Sequence, residues 1–212
     1  MKRLYIILPL LLLSLPCTTN AENRATRLLD KIVAPIESGK GISLKFLLQQ
    51  SDMENVEGSI DMLSNKFVLQ VPDMITWFDG TTQWTYLKSS EEVNISIPEK
   101  DELLQTNPCL LLQSYKKAFD CKFIEKKGDV CELSLIPKQH SEITEIEIFV
   151  DEKQTALTHI TVIQKDGQKT DVDIIRYETN TNFPANHFFN FLLSSCISIY
   201  IRIFRPKNNS HI

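Results

Sequence analysis

The side chains best suited to catalysis or metal binding are scattered along this chain of 212 residues. Its four histidines are His140, His159, His187 and His211, and none lies in a recognisable motif with a nucleophile. The zinc-protease pattern H-E-x-x-H and the hydrolase pattern G-x-S-x-G do not occur. The sequence therefore favours a protein that is not an enzyme and that needs no cofactor.

Cysteines are the other reactive side chains, and four of them follow the N-terminal segment: Cys109, Cys121, Cys131 and Cys196. Cys121 and Cys131 flank a turn at residues 125–129, so they could face each other across a hairpin and form a disulfide. The alternative is a pair of half-buried free thiols, and the sequence does not decide between them. No histidine stands at metal-ligand spacing beside them, which argues against a zinc site.

Composition excludes several classes of partner. The net charge is −4, which gives no reason to expect nucleic acid or an anionic membrane surface as partner. With only six glycines, the chain has no Gly-rich phosphate-binding loop. Its length is enough for one domain with a sizeable core.

The N-terminus has the layout of a secretory signal peptide. Met1-Lys2-Arg3 is a short basic start, and an apolar run from Leu4 to Pro16 follows it. The small polar exit after this run predicts cleavage after Ala21. The rival interpretation is a lipoprotein signal modified at Cys17, which Pro16 fits poorly because small residues are expected there.

Hydrophobic periodicity predicts one long helix followed by many short strands. Apolar residues at helical spacing indicate an amphipathic helix from Arg24 to Ile36. Alternating patterns then predict about ten antiparallel strands between Ile42 and Tyr177. A helical interruption from about Glu99 to Ala118 would hold one short helix at Asp101–Leu104 and a second that begins at Asn107-Pro108.

An antiparallel sheet with one apolar face must bury that face. The predicted sheet can curl on itself, with small helices as a cover. Its inner face could be a core filled by side chains or could include a ligand pocket, and the pattern alone favours the filled core.

The stretch from Trp77 to Leu112 makes the prediction more specific. This stretch, together with Gly58, resembles the LolA family of outer-membrane lipoprotein carriers. The residues that carry the resemblance within it are the Asp79-Gly80 turn, Trp84, Tyr86 and the start of the helix at residues 107–112. The resemblance runs from Glu22 to Phe191. Together with the signal-peptide layout at residues 1–21, it implies a carrier domain at 22–191 and a divergent tail at 192–212.

This resemblance implies a fold and a function. The fold would be α+β but mainly β, an incomplete antiparallel β-barrel whose curved sheet is covered by a lid of short α-helices. The protein would work as a monomer in the periplasm and hold the acyl chains of lipoproteins in an apolar cavity. Its partners would be an inner-membrane lipoprotein-releasing transporter and an outer-membrane acceptor.

The residues expected to line the cavity and the lid are the large apolar side chains of these elements. They are Leu28, Leu29, Ile32, Val33, Leu44, Phe46, Ile60, Met62, Phe67, Leu69, Trp77, Trp84, Tyr86, Ile95, Leu111, Leu112, Tyr115, Phe123, Leu133 and Ile148. For each of them, ordinary core packing is the alternative role. Many carriers of this family latch the lid with an arginine, but the comparable place here holds Ser64-Asn65, with Lys66 beyond.

Two further questions stay open at the level of sequence. A membrane-anchored receptor or envelope-stress sensor, or a structural β-domain without ligand, would have the same pattern of strands. The apolar run from Leu192 to Phe204 is either a last strand of unusual sequence or an end that does not complete the sheet.

Overall fold

A computed structural model describes residues 18–50, 54–99, 107–192 and 200–203. The short helix predicted at Asp101–Leu104 and the candidate lipidation site Cys17 lie outside these residues. None of the described helices combines the length and the apolar character needed to cross a membrane.

The first helix, α1, spans Thr18–Glu37 and is longer than the predicted Arg24–Ile36. Its apolar residues recur at helical spacing and turn one stripe toward the sheet. The helix ends at Gly39, whose φ of 70° is the left-handed conformation that glycine adopts without strain. The Gly39 N–H donates to the carbonyl of Ile36 at 3.1 Å.

The second helix, α2, spans Pro108–Ala118 and leads directly into a strand. A short 3-10 helix spans His187–Leu192. The twelve strands are β1 Gly41–Gln50, β2 Val56–Leu63, β3 Lys66–Val71, β4 Met74–Phe78, β5 Gln83–Leu87, β6 Glu92–Ser96, β7 Phe119–Lys127, β8 Val130–Pro137, β9 Ile143–Asp151, β10 Ala156–Gln164, β11 Lys169–Thr181 and β12 Tyr200–Ile203.

All twelve strands form one sheet in the order β12-β6-β5-β4-β3-β2-β1-β11-β10-β9-β8-β7. Strands β1 to β11 pair with one another in antiparallel fashion, and the sheet is curved but not closed. This confirms the predicted fold class. The tail contributes β12, which pairs in parallel with β6.

One face of the sheet, called the inner face below, carries two apolar clusters under the helices. Cluster 1 joins α1 and α2 to strands β7–β10 through Ala25, Leu28, Leu29, Ile32, Val33, Tyr115, Phe119, Cys121, Cys131, Leu133, Leu135, Ile146, Ile148, Val150 and Leu157. Cluster 2 joins the end of α1 to strands β1–β4 through Ile36, Ile42, Leu44, Phe46, Ile60, Met62, Phe67 and Phe78.

The opposite, outer face is crossed by the chain after β11. His187 Nε2 lies 2.8 Å from Asp61 Oδ2, and Ser43 Oγ donates to Asp61 Oδ1 at 2.6 Å. The His187 ring stacks on Phe183, with centroids 4.7 Å apart. In this group the carboxylate, not the histidine, stands between the other two side chains. The group therefore anchors the C-terminal segment and is not a catalytic triad.

The alternative of a disulfide between Cys121 and Cys131 is wrong. Both sulfurs are buried and neither is in a disulfide, and the register pairs Cys121 with Leu135 but Cys131 with Lys126. Five residues of strand separate the two positions, about 16 Å, whereas a disulfide needs Cα atoms within roughly 7 Å. The hairpin turns at Gly128-Asp129, so Cys131 lies near the turn and Cys121 far from it.

A substitution at Gly58 tests the packing of the inner face. Gly58 pairs with Phe46, and a Cβ at position 58 would lie 2.4 Å from the Phe46 ring and 3.0 Å from the Gln70 carbonyl oxygen. We expect Gly58→Ala to displace this ring from cluster 2 and to lower the free energy of unfolding by about 1–3 kcal/mol, measured by urea denaturation. Ser59→Ala is the control on the other face. Equal stability of the two variants would contradict the described packing.

Candidate ligand-binding site

Helix α1 covers the inner face with the residues that the sequence predicted. Leu28, Leu29, Ile32 and Val33 are at most 4% exposed, and all four belong to cluster 1. Their spacing places them on one side of the helix, above the apolar strands β7–β10. The predicted lid helix is therefore in contact with the sheet along its whole apolar stripe.

Helix α2 continues the cover. Its Leu112 is half-buried and contacts both clusters, so it lies at their junction. Tyr115 is buried in cluster 1. The side chain of Leu111, also predicted to line the cavity, lies outside what the structure describes.

The two helices are joined by a polar contact. Tyr115 Oη donates to Asp30 Oδ1 at 2.7 Å and lies 3.0 Å from the Thr26 carbonyl oxygen, and Lys116 Nζ pairs with Asp30 at 2.6 Å. Desolvation opposes ionisation of Asp30, but the bonds from Lys116 and Tyr115 outweigh it and lower its pKa. Burial and the neighbouring carboxylate raise the pKa of Tyr115, which stays a neutral donor.

The N-terminus of α2 is tied to the turn where the family arginine was expected. Asn107 is buried, and its Oδ1 caps the helix by accepting from the Leu110 N–H at 3.1 Å. Its Nδ2 donates to the Asn65 carbonyl at 3.0 Å, and Gln113 Nε2 donates to the Ser64 carbonyl at 2.9 Å. Amide side chains of α2 and backbone carbonyls of the β2–β3 turn therefore make the connection between cover and sheet.

Most of the predicted sheet residues meet on the inner face. Leu44, Phe46, Ile60, Met62 and Phe67 belong to cluster 2, and Leu69 packs against it. Leu133 and Ile148 belong to cluster 1, and Phe123 packs against that cluster. The Phe123 ring also lies 4.0 Å below the guanidinium of Arg24, near the start of α1.

Four predicted residues lie elsewhere: Trp77, Trp84, Tyr86 and Ile95. Trp77 pairs with Trp84, which pairs with Ile95, so these three share a face. Phe78, the neighbour of Trp77, pairs with the inner-facing Phe67. Successive side chains of a strand point to opposite faces, so Trp77 and its partners are on the outer face, as is Tyr86. The expectation that all predicted residues line one cavity is therefore wrong for these four.

The turn between β3 and β4 explains this error. Pro72 and Asp73 form a two-residue connection that pairs Val71 with Met74. This register sets Thr76 and Phe78 inward, and a shift of one residue would reverse every side chain. Segment Met74–Phe78 is apolar on both faces, so alternation alone could not decide which of its side chains face inward. The two-residue length of the turn is the feature of the sequence that could have decided it.

Sequence reasoning also missed Tyr177 of β11. It packs against both clusters, and it pairs with Leu44 on the inner face. Its hydroxyl is buried and has no hydrogen-bond partner among the described residues. Burial raises the pKa of Tyr177 to about 12, so the phenol keeps its proton at neutral pH. A buried polar group without a partner costs about 1–3 kcal/mol.

Two clefts of the described residues lie outside the helix–sheet interface. One cleft of about 390 Å³ lies among residues such as Gly39, Leu63 and Phe183, and another of about 350 Å³ lies between Lys45 and Lys88. Both are open clefts with mixed polar and apolar walls. The helices pack on the inner face through both clusters, so an apolar ligand that binds there would replace contacts that the helices now make.

Comparison with known proteins gives the family. A family model described as outer membrane lipoprotein carrier protein LolA matches residues 15–168. An outer-membrane lipoprotein carrier protein of Aliivibrio fischeri strain MJ11 is 27% identical over an alignment of 166 residues, and the match covers 75% of this chain and 80% of that protein. Its counterpart in strain ATCC 700601 / ES114 matches with the same identity and coverage.

A solved structure supports the fold. The crystal structure of an uncharacterized conserved protein from Thermus thermophilus superimposes with a TM-score of 0.58 at 11% identity. The match covers 84% of this chain and 99% of that one. At this identity the similarity concerns the architecture of sheet and helices alone.

The hydrogen bonds at the start of α2 predict that loss of the Asn107 amide lowers the stability of the protein strongly. Asn107→Ala removes the helix cap and the bond to the Asn65 carbonyl, both in a buried place. We expect a loss of about 1–3 kcal/mol in the free energy of unfolding, measured by urea denaturation. Gln113→Ala removes one exposed bond and should change stability by less than about 0.5 kcal/mol. A larger effect of Gln113→Ala than of Asn107→Ala would contradict this assignment.

The lowered pKa of Asp30 predicts a pH dependence. A carboxylate whose folded-state pKa lies below its unfolded value of about 3.9 stabilises the protein at higher pH, and this stability is lost as pH falls through the folded value. Asp30→Asn should therefore destabilise at pH 7 and become equal to the original protein in strong acid. Unfolding curves of both at several pH values test this; a pH-independent difference would contradict it.

Proposed function

We propose that this chain, which belongs to the LolA family of outer membrane lipoprotein carrier proteins, binds the acyl chains of lipoproteins between its helices and its sheet. One observation carries the proposal. Two helices cover a continuous apolar inner face, and they contact it mainly through packed apolar side chains. Lipoprotein acyl chains are apolar and flexible, so they can take the place of those side chains.

Binding is an exchange of one apolar cover for another. Each large apolar side chain of α1 contributes about 1.5–3 kcal/mol by its burial, so lifting the helix costs on the order of 10 kcal/mol. One long acyl chain gains about 0.8 kcal/mol per buried methylene, which is also on the order of 10 kcal/mol. A single chain would therefore bind weakly, and a cargo with two or three chains would bind well.

The same balance suits a carrier, which has to release what it binds. When the cargo leaves, the helices recover their contacts with the sheet and offset most of the cost of release.

The family of this chain consists of binding proteins, which confirms the prediction that it is not an enzyme.

The route of the cargo is part of the proposal. The protein receives lipoproteins in the periplasm from an inner-membrane lipoprotein-releasing transporter and passes them to an outer-membrane acceptor, acting as a monomer. Cleavage of the signal peptide after Ala21 remains a prediction. Because α1 begins at Thr18, such cleavage would remove its first turn and leave the apolar stripe from Leu28 onward intact.

Binding can be measured on the mature protein by native mass spectrometry with a triacylated lipopeptide and a single-chain fatty acid. We expect a stable lipopeptide complex and much weaker binding of the fatty acid. Leu112→Gln places an amide at the junction of the two clusters and should reduce lipopeptide affinity by roughly tenfold, about 1.4 kcal/mol.

Lys117→Gln, an exposed change on the same helix, is the control and should bind as the original protein does. Absence of any lipopeptide complex would contradict the carrier function. Equal loss in both variants would place the binding surface on the outside of α2.

A further inference from the structure

The Tyr177 hydroxyl stands out in the interior because no described residue forms a hydrogen bond with it. Its oxygen is buried and unbonded among the described residues. The side chain of Tyr177 packs against both apolar clusters. Buried hydroxyls in folded proteins almost always have a partner, so this donor needs an explanation.

Tyr177 packs where the two clusters meet, and along β11 it is the last inner-facing residue before solvent. It pairs with Leu44, and the next inner-facing residue of β11 is Thr179, which is exposed and pairs with Ile42. One step along the strand thus leads from apolar interior to solvent. An acyl chain that enters from this end would place its methylenes in the interior and its carbonyl group close to this boundary.

The second tyrosine of the interior provides the contrast. Tyr115 is also buried on this side of the sheet, but its hydroxyl is bonded to Asp30 and lies 3.0 Å from the Thr26 carbonyl oxygen. Tyr115 therefore fulfils a structural role in the free protein. Tyr177 has a free donor, and the phenol is protonated at neutral pH because burial raises its pKa to about 12.

We propose that the Tyr177 hydroxyl donates a hydrogen bond to the carbonyl oxygen of a bound acyl chain. This inference rests on the proposed function and adds to it the recognition of the acyl carbonyl. Burial of the hydrocarbon chain alone does not distinguish an acyl chain with a carbonyl from one without. An ester carbonyl suits the site because it accepts a hydrogen bond and brings no charge into an apolar interior. The group occurs in diacylglyceryl lipoproteins and in phospholipids.

The first test concerns the free protein. Tyr177→Phe removes only the hydroxyl and should leave stability to urea unchanged or increased, because no bond is lost. Tyr115→Phe breaks a bond to Asp30 and should shift the unfolding midpoint to lower urea. A loss for Tyr177→Phe as large as that for Tyr115→Phe would overturn the inference, because the hydroxyl would then have a partner in the free protein.

The second test measures binding of a diester lipopeptide and of its diether analogue, which lacks the two carbonyl oxygens. The original protein should bind the diester roughly three- to tenfold more tightly. Tyr177→Phe should bind both with the affinity that the original protein has for the diether. An unchanged preference for the diester in Tyr177→Phe would overturn the inference while the carrier function stands.

A diester phospholipid forms a third arm. If Tyr177→Phe weakens only the lipopeptide, the hydroxyl recognises lipoprotein cargo; if it weakens both ligands, it recognises acyl esters of either source, and both results support the carbonyl contact. If the original protein binds neither diester nor diether, the proposed function itself fails, and the inference fails with it.

Discussion

The burial of the apolar inner face by α1 is the contact on which the rest of the structure depends. An antiparallel sheet of this size, curved but not closed, leaves one apolar face that water would otherwise cover. Leu28, Leu29, Ile32 and Val33 cover its larger part, and Leu112 and Tyr115 of α2 extend the cover. The fold is stable because this face is buried, and its proposed function requires that the cover be exchanged.

The polar contacts are placed so that the cover stays attached at defined points. Tyr115 joins α2 to α1 through Asp30, and Asn107 joins α2 to the β2–β3 turn. Arg24 of α1 also pairs with Glu152, just after β9, at 3.4 Å. The stripe from Leu28 to Val33 packs on the sheet through apolar side chains, whose contacts are not directional. A ligand can therefore substitute for the apolar contacts without a matching set of hydrogen bonds, and the orphan donor of Tyr177 lies in that region.

Hydrophobic periodicity predicts the α1 stripe and strands β1–β11, because each has one buried face. It fails where burial is two-sided: Trp77 and Phe78 are both apolar, and only the two-residue turn at Pro72-Asp73 decides which of them faces inward. Whether Cys121 and Cys131 can form a disulfide depends on where the β7–β8 hairpin turns, which composition does not give. The unbonded hydroxyl of Tyr177 depends on what surrounds it in space, so no linear pattern could have found it.

The most direct measurement is the distance between α1 and the sheet with and without cargo. Spin labels at the exposed positions Lys31 of α1 and Lys122 of β7, introduced as unnatural amino acids so that the buried cysteines stay intact, report this distance by pulsed electron paramagnetic resonance. The account predicts one short distance in the free protein and a longer one when a triacylated lipopeptide is bound. An unchanged distance in a complex that native mass spectrometry shows to be saturated would contradict it, because the acyl chains would then lie outside the interface of helix and sheet.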